Sequence, residues 1–301
     1  MGPHVYVNVH WPWPMRKPFQ RKSLVLGALG GGLGDELMCL PIFEEIKRRN
    51  PMCHITFVSR RPDYFKKHPA IDEGVADGPG AVGLRLSYTY TVPPPRPLMT
   101  HLGECVGIIG HFDKINPPPI SPSAAVKEFM DGLRQPIIVV QPLSSQWTVN
   151  KSWPLKAWEE LVEILLQESV TIVEVGTESA FAGDRFPEGF VSVAGRTNLE
   201  DLAYVISRAD VFIGPSSSGM HLANAYCVKS VIIFGGYESP SGYGFPLTTA
   251  FYSPVECAPC WKQTCPYDIK CLRAIQPAKV AAEAMRLLKG EMPLGTILVN
   301  P

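Results

Sequence analysis

The sequence predicts an α/β protein with two units, each built on a parallel sheet. In the first half, a strand from Ser23 runs into a glycine-rich turn at 30–34, a helix opened by Asp35, and a second strand at 54–58. Parallel strands need a crossover of about a dozen residues, and this spacing provides it. After a proline-rich linker at 116–123 the same alternation starts again, and a chain of 301 residues can form two packed cores.

The composition is that of a globular chain without a dominant charge. Hydrophobic residues make up 46% and charged residues 19%, which excludes disordered, collagen-like and coiled-coil chains. Lysine plus arginine equals aspartate plus glutamate at 28 each, so no overall field would hold nucleic acid or an acidic membrane. No apolar stretch approaches the roughly 20 residues of a membrane span, and a signal-peptide core is absent. We therefore expect a cytoplasmic protein with no nucleic-acid partner and no membrane span.

The first unit, residues 1–133, is defined by the strand, turn and helix at its start. The strand SLVLGAL leads into the glycine turn, and the helix is expected to continue from Asp35 to Arg48. The periodicity weakens between 74 and 123, where 88–92 is a candidate strand. This unit is therefore expected to end in a long irregular connection.

The second unit, residues 134–275, shows a regular alternation of strands and helices. One helix begins at about Pro154, a residue tolerated in the first turn, and has an apolar face that includes Trp158 and Leu161. The expected strands are 137–141, 170–175, 211–214 and 230–235, and the other expected helices are 199–208 and 219–227. Ligands of open parallel sheets collect at the carboxyl ends of strands. We therefore expect one crevice there, built from the segments 141–153, 174–179, 214–221 and 235–244.

The glycine-rich turn before Asp35 is a candidate phosphate or sugar site. Glycines let the backbone approach a ligand closely, and the helix that follows points its amides at the ligand. Dinucleotide binding is disfavoured, because the G-x-G-x-x-G register is absent and the second strand ends in Ser59-Arg60 where an acidic residue would be needed. The alternative is that Asp35 caps its helix and complements the helix dipole.

Two loops at strand ends carry chemistry suited to an anion. Lys151 lies just before a helix and can reach a diphosphate as a point charge, the alternative being a solvated loop lysine. The segment 214–221 supplies three hydroxyls, backbone amides and the His221 imidazole at a helix start, which is an anion-binding arrangement. The alternatives are that Ser217 or Ser218 is only the N-cap and that His221 is a half-buried histidine.

Half of the eight cysteines lie within one short segment. Cys257, Cys260, Cys265 and Cys271 follow the spacing C-x2-C-x4-C-x5-C. Four thiolates this close suit tetrahedral Zn or a single Fe, and a structural role is favoured because no open coordination position is implied. Two disulfides or reduced thiols are the alternatives. The other four cysteines are expected to be small buried hydrophobes: Cys39, Cys53, Cys105 and Cys227.

Taken in order, these motifs resemble those of the heptosyltransferase family, glycosyltransferase family 9, over residues 23–290. The pattern G-D-x-L appears as Gly34-Asp35-Glu36-Leu37, and the pattern K-x-W-P appears as Lys151-Ser152-Trp153-Pro154. The signature of the second unit appears as the run from Gly214 to Ala223, followed by Phe234-Gly235. The resemblance implies a GT-B fold, in which two Rossmann-like domains with parallel sheets face each other across a cleft.

The resemblance also implies an inverting transfer of a sugar from a nucleotide diphosphate, typically ADP-heptose, to an acceptor hydroxyl. Asp35 then becomes the candidate general base, while Lys151 and the helix amides take the place of a catalytic metal at the departing diphosphate.

Glu174 resembles the position that holds the nucleotide ribose, its alternative being a solvent-facing strand residue. The donor set that the resemblance gives is Gly34, Lys151, Glu174, Ser216, Ser217, Ser218, Gly219, Met220 and His221. Ser216 replaces an aspartate with which the family contacts the donor sugar, so a different donor sugar is an alternative.

The sequence also carries features that bear on the acceptor substrate and on the oligomeric state. The expected acceptor is a hydroxyl of lipopolysaccharide core or of a protein, since the four-cysteine segment resembles the iron-binding finger of autotransporter heptosyltransferases. In the last segment, 276–301, a helix at 277–289 is expected to cross back to the first domain. The tail is expected to be poorly packed or to serve an interface, which is compatible with a homo-oligomer. The competing functions are a catalytically silent nucleotide-sugar-binding scaffold and a nucleotide-sugar epimerase or hydrolase of similar fold.

Overall fold

The computed structural model describes residues 22–28, 30–79, 81, 83–86, 97–144, 148–181, 186, 188–243 and 245–299. Its strands are β1 (Ser23–Ala28), β2 (His54–Ser59), β3 (Glu73–Ala76), β4 (Leu84–Leu86), β5 (Ile137–Val140), β6 (Thr171–Glu174), β7 (Phe190–Ser192), β8 (Val211–Pro215), β9 (Ser230–Phe234), β10 (Thr248–Tyr252) and β11 (Thr296–Leu298). Its helices are α1 (Leu33–Met38), α2 (Leu40–Arg49), α3 (Pro62–Phe65), α4 (Leu98–Glu104), α5 (Ala124–Asp131), α6 (Leu155–Leu166), α7 (Leu199–Ser207), α8 (Ser218–Ala225), α9 (Lys270–Arg273) and α10 (Pro277–Leu288). None of these described helices has the length and apolar character needed to cross a membrane.

The first sheet has four parallel strands in the order β3-β2-β1-β4. The predicted βαβ unit is present, but the predicted single helix from Asp35 to Arg48 is two helices, α1 ending at Met38 and α2 beginning at Leu40. Pro41, in the first turn of α2, has no N–H with which to continue a helix from α1, and this accounts for the break. The candidate strand at 88–92 lies outside the described residues.

The second sheet has seven parallel strands in the order β11-β10-β9-β8-β5-β6-β7. The strands that the sequence predicted, β5, β6, β8 and β9, lie in its interior and are buried throughout, as their apolar runs required. Helix α6 buries Trp158 and Leu161 in the core of this unit. The α/β class is therefore confirmed. The domain boundary after residue 133 lies in the connection between α5 and β5 and stays a prediction.

The last helix takes a different course from the one expected. Helix α10 packs against α6 and against strands β8 and β9 of the second sheet, whereas a crossing to the first domain was predicted. Its apolar face, with Val280 and Leu287, is buried in the same core as the apolar face of α6, which explains the packing. In the tail, residues 296–298 add strand β11 to the edge of the sheet beside β10. The exposed side chains of Met292, Leu294 and Leu298 agree with the expected poor packing.

Direct contacts join the two units. Helix α1 packs against α8, and α5 packs against α7. The Asn224 side chain on α8 accepts a hydrogen bond from the Ile115 amide at 3.2 Å and donates one to the Asp113 carbonyl at 3.1 Å. Asp201 on α7 accepts a bond from the Ser123 amide at 2.7 Å. These contacts hold the glycine-rich turn of the first unit next to the start of α8 in the second.

Candidate functional site

Asp35 lies in the first turn of α1, directly after the glycine-rich turn. Its half-buried carboxylate accepts a hydrogen bond from the Gly32 amide, with 3.3 Å between Oδ2 and N, so it caps the helix start. A Cβ atom at residue 32 would lie 2.9 Å from Oδ2, and Gly31 has a φ of +60°, a conformation that favours glycine. The glycines thus fold the backbone around the Asp35 side chain, which fixes the direction of its carboxylate.

The neighbouring residue, Glu36, ties this turn to the end of β2. Glu36 is buried, and its Oε1 accepts hydrogen bonds from Ser59 Oγ and from the Arg60 amide, both at 2.8 Å. Its Oε2 pairs with Arg61 Nη1 at 2.6 Å. A buried carboxylate with three donors is satisfied, so its role is to hold α1 in place. In the sequence, Glu36 stood out only as the variable position of the G-D-x-L pattern.

Gly34 allows a close approach between α1 and α8. A Cβ atom at residue 34 would lie 2.6 Å from Cδ2 and 2.8 Å from Nε2 of the His221 ring, closer than real Cβ atoms approach other atoms. The observed packing therefore requires glycine at this position. The contact sets Asp35, the next residue along the chain, beside the loop that leads from β8 into α8.

The loop before α8 differs in detail from the predicted arrangement. Ser217 occupies the N-cap position, but its Oγ makes no capping bond and donates to Gln141 Oε1 at 3.1 Å. The side chain of Met220 is fully buried and its amide donates to the Ser217 carbonyl at 3.1 Å, so Met220 serves the core and the turn. In the part of the chain that the structure describes, the amides of Ser218 and Gly219 meet no protein acceptor. These two amides are the donors that an anion would meet at the helix start.

Lys151 belongs to a largely buried ion pair. It ends a short 3-10 turn at 149–151, and its Nζ lies 2.6 Å from Glu238 Oε1 and 3.4 Å from the Ser216 carbonyl oxygen. Glu238 is 4% exposed and also accepts hydrogen bonds from Ser216 Oγ at 2.5 Å and from the Tyr243 hydroxyl at 2.6 Å. The solvated-lysine alternative is therefore wrong.

His221 is 5% exposed and lies against aromatic rings. Its ring centroid is 5.6 Å from that of Tyr243 and 5.5 Å from that of Phe245. Burial, with a smaller contribution from the charge of Lys151, lowers the pKa of the imidazole to about 3. The ring is therefore neutral near pH 7, and its Nδ1 meets no hydrogen-bond partner among the described residues. His221 can offer a ligand a hydrogen bond but no positive charge.

The low pKa of His221 should make folding stability depend on pH in a defined direction. Between pH about 3 and the ordinary value of 6.5, the unfolded chain binds a proton that the folded chain does not, so the free energy of unfolding falls as the pH falls. His221→Gln should reduce the difference in unfolding free energy between pH about 5 and about 7.5, measured by denaturant titration. An equal pH effect in the His221 variant and the unsubstituted chain would contradict the assignment.

Glu174 ends β6 and is fully buried, so the alternative of a solvent-facing residue is wrong. Its Oε2 accepts a hydrogen bond from Ser179 Oγ and its Oε1 accepts one from the Ala180 amide, both at 2.6 Å. These bonds hold the loop after β6 against the carboxyl end of the strand. The contact of Glu174 with a nucleotide ribose stays a prediction.

The four clustered cysteines, between 257 and 271, pack beside the loops that carry the ion pair. The Gly236 amide donates to Cys271 Sγ at 3.1 Å, and Asn150 Nδ2 donates to Cys260 Sγ at 3.7 Å. These four cysteines are free thiols, so the alternative of two disulfides is not realised. Over the described ranges, no group of three or more His, Cys, Asp or Glu side chains is arranged to hold a metal ion. The predicted metal centre is therefore not assembled by the side chains in their present positions.

Three polar residues of the crevice were missed in the sequence: Gln141, Glu238 and Tyr243. Each lies in a segment that was expected to converge there, because it follows the carboxyl end of a predicted strand. The position of these residues just after a predicted strand was therefore the sequence signal that could have identified them. It could not single out Glu238, since the same segment holds Ser239 and Ser241, whose hydroxyls bond to each other at 2.9 Å.

Comparisons of the sequence with known proteins agree on one family. The profile of glycosyltransferase family 9 (heptosyltransferase) matches residues 119–270, about half of the chain. Lipooligosaccharide heptosyltransferase 2 of Campylobacter jejuni is 33% identical over 101 residues, which cover 33% of this chain and 32% of that protein. Lipopolysaccharide heptosyltransferase 1 of Pseudomonas aeruginosa is 29% identical over 165 residues, which cover 51% of this chain and 42% of that protein. The chain thus spans less than half the length of these curated relatives.

Solved structures extend the likeness to most of the chain. The E. coli ADP-heptose lipopolysaccharide heptosyltransferase II matches with a TM-score of 0.68 at 17% identity, covering 90% of this chain and 99% of that one. The iron-containing dodecameric glycosyltransferase TibC of enterotoxigenic E. coli matches with a TM-score of 0.69 at 18% identity, covering 90% and 76%. At these identities the likeness concerns the fold. It confirms the expected GT-B class with two Rossmann-like, parallel-sheet domains.

Proposed function

This chain belongs to glycosyltransferase family 9, and from that premise we propose that it transfers a heptose from ADP-heptose to an acceptor hydroxyl with inversion at the anomeric carbon. The observation that carries the proposal is the packing of α1 on α8, with Gly34 against His221. This packing holds the turn that carries Asp35 in one unit next to the start of α8 in the other. A displacement reaction needs a base for the attacking hydroxyl and positive charge for the leaving group, and the two units supply one each.

On the donor side, the departing diphosphate requires stabilisation of its charge. Lys151 supplies a cation that is held in place by Glu238 and the Ser216 carbonyl. The amides of Ser218 and Gly219 add hydrogen-bond donors at the positive end of α8. The proposed partner of the ribose is Glu174, at the end of β6. The proposed transfer uses these groups in place of a divalent metal ion.

On the acceptor side, Asp35 takes the proton of the acceptor hydroxyl as its oxygen attacks the anomeric carbon. The new carbon–oxygen bond forms while the bond from that carbon to the diphosphate oxygen breaks, and the electron pair of the broken bond leaves with ADP. Attack from the face opposite the leaving group inverts the configuration. The bonds of Glu36 to Ser59 and Arg61 support this step by holding the turn that carries Asp35.

The names of similar proteins support heptose as the sugar. The Campylobacter and Pseudomonas relatives are a lipooligosaccharide and a lipopolysaccharide heptosyltransferase, and one structure of TibC is a complex with ADP-D-beta-D-heptose. We take the lipopolysaccharide core as the first acceptor to test and a protein hydroxyl as the second.

A screen of nucleotide sugars tests the proposed function. A ligand that binds only the folded chain raises its stability with concentration, by about 2.7 kcal/mol at a hundred times its Kd. ADP-heptose should raise the melting temperature, whereas GDP-, UDP- and CMP-linked sugars should not. Mass spectrometry should then detect an acceptor that has gained one heptose. Binding without turnover would favour a scaffold, consumption of the donor without an acceptor would favour a hydrolase or epimerase, and no binding at all would contradict the proposal.

We also propose that Cys257, Cys260, Cys265 and Cys271 hold a structural Zn or Fe ion. The similar glycosyltransferase TibC is iron-containing. Cys265 Sγ and Cys271 Sγ each accept a hydrogen bond from a backbone N–H, as the ligands of a metal ion commonly do. Burial raises the pKa of the Cys271 thiol, so metal binding would release its proton. The ion would tie the segment together and take no part in the transfer.

Substitution of one thiol tests this metal site. Cys257→Ser should lower the metal content from about one ion per chain to almost none and should lower the melting temperature, because a structural ion contributes directly to folding. Elemental mass spectrometry and thermal denaturation measure both effects. Cys227→Ser, at an exposed cysteine outside the cluster, is the control and should keep the metal. An unsubstituted chain that is fully folded but purified without metal would contradict the site.

A further inference from the structure

Glu238 is a buried carboxylate to which the proposed transfer gives no role beyond holding Lys151 in place. Its Oε1 lies 2.5 Å from Ser216 Oγ and 2.6 Å from Lys151 Nζ, and its Oε2 lies 2.6 Å from the Tyr243 hydroxyl. Ser216 follows β8, Lys151 lies beyond β5, and Tyr243 and Glu238 follow β9. Donors from the carboxyl ends of three neighbouring strands therefore converge on this single carboxylate.

The negative charge of Glu238 opposes the binding of a diphosphate. It neutralises Lys151, the cation that the leaving group needs, and it repels phosphate oxygens placed nearby. A glutamine at this position would keep one carbonyl acceptor without that repulsion, and its NH2 group would donate to the hydroxyl that now bonds to the second oxygen. A full charge here lowers the affinity for the nucleotide diphosphate alone. A favourable contribution of this charge to donor binding must therefore come from another part of the donor.

The hydroxyl groups of a sugar can donate strong hydrogen bonds to such a carboxylate. Hydrogen bonds to an ionised acceptor are roughly twice as strong as neutral ones, and a carboxylate has about four lone-pair positions to offer. The hydroxyls of Ser216 and Tyr243 each donate and accept, so they can turn from Glu238 towards a polyol. This combination of one charged acceptor and two hydroxyls is suited to a ligand with several hydroxyls.

The position of Glu238 also fits the sugar of the donor. Its partner Tyr243 contacts the His221 ring, with 5.6 Å between centroids, and the Cδ2 and Nε2 atoms of that ring lie against Gly34. Glu238 and Tyr243 thus lie near both the loop before α8 and the turn that carries Asp35. A sugar that is bonded to the diphosphate and faces the Asp35 base has to occupy this same region.

We infer that Glu238 is a specificity-determining residue for the donor: its carboxylate accepts hydrogen bonds from hydroxyls of the transferred sugar, with Ser216 and Tyr243 as its partners. The inference rests on the proposed transfer reaction. It gives Glu238 opposite effects on two ligands, since the carboxylate strengthens the binding of the nucleotide sugar and weakens the binding of the bare nucleotide.

Calorimetric titration of Glu238→Gln with ADP and with ADP-heptose separates these effects. The affinity for ADP should rise several-fold, because Lys151 is freed from its counterion. The affinity for ADP-heptose should fall by roughly 10- to 100-fold, the usual effect of losing buried hydrogen bonds to a charged group. Glu256→Gln, at an exposed glutamate of the same unit, removes the same charge and should leave both affinities unchanged.

A second variant covers the case in which Glu238→Gln does not fold. Exchanging the two hydrogen-bonded partners, as Ser216→Asp with Glu238→Ser, keeps one carboxylate, one hydroxyl and the net charge beside Lys151. This double variant should prefer ADP-heptose over ADP, as the unsubstituted chain does, whereas Glu238→Ser alone should lose that preference.

The outcomes distinguish the inference from the reaction on which it rests. If Glu238→Gln binds ADP and ADP-heptose more tightly by the same factor, Glu238 is only a counterion of Lys151 and the inference is overturned. If both affinities fall by the same factor, Glu238 is only structural, which also overturns it. An unsubstituted chain that binds ADP but not ADP-heptose, or binds neither, contradicts the proposed function itself.

Discussion

Asp35→Asn should lower the rate of sugar transfer by roughly 100- to 10,000-fold, the usual contribution of a general base. Asparagine cannot take the acceptor proton, so the attacking oxygen would have to lose it to water. Donor affinity should stay within about twofold, because the substitution alters none of the donor groups, which lie on the second unit apart from Gly34. Steady-state kinetics with ADP-heptose and an acceptor measure the rate, and titration calorimetry measures the affinity. A variant that keeps its full rate would exclude Asp35 as the base.

The substitution Asp35→Asn should leave the structure around residue 35 intact. Asparagine keeps an oxygen that can accept the hydrogen bond from the Gly32 amide, so the cap of α1 is retained. The control is Asp63→Asn, which removes an exposed acidic residue from the first turn of another helix in the same unit. Asp63→Asn should transfer sugar at the unsubstituted rate. Equal losses in both variants would indicate a general effect of charge on the first unit.

Lys151→Met should abolish measurable donor binding and also destabilise the fold. The variant leaves Glu238, which is 4% exposed, as a carboxylate without its cation. Breaking a fully buried pair costs about 3–5 kcal/mol, and the Lys151 side chain is 19% exposed, so we expect at most about 3 kcal/mol. Denaturant titration measures the stability, and thermal shift with ADP-heptose measures the binding. Lys156→Met, at an exposed lysine on α6, is the control and should change neither.

A double variant separates the two effects of Lys151. Lys151→Met with Glu238→Gln removes both charges, so most of the lost stability should return while donor binding stays lost. Recovery of both would mean that Lys151 serves only as a counterion of Glu238 and does not meet the diphosphate.

The interior strands of the two sheets could be predicted from the sequence except β10, and the edge strands could not. Strands such as 137–140 and 230–234 are continuous apolar runs, which is the pattern of strands buried on both faces. The edge strands 190–192 and 296–298 have three residues each and are half-exposed, so they carry no such pattern and depend on pairing with a neighbour. Pro41 is a sequence signal for the break between α1 and α2. The helical periodicity of the surrounding residues nevertheless favoured one continuous helix.

The candidate site was predictable in its segments but not in its pairings. The rule that ligands collect at strand ends located the loops of Lys151 and Ser216, and the structure brings these two residues together. The ion pair with Glu238 joins residues 87 positions apart, a separation at which a single sequence carries no pairing signal. The contact of Gly34 with His221 could not be predicted either, because it exists only once the two units are packed.

That glycine contact determines how closely the two halves of the molecule can come together. Carbon atoms in ordinary contact are about 3.5–4.0 Å apart, whereas a methyl group at residue 34 would lie 2.6 Å from the His221 ring. An alanine there would separate the α1 and α8 surfaces by roughly 1 Å, and a misplacement of about that size can slow a reaction by on the order of 100-fold. Because residue 34 has no side chain, it fixes the distance between the turn that carries Asp35 and the start of α8.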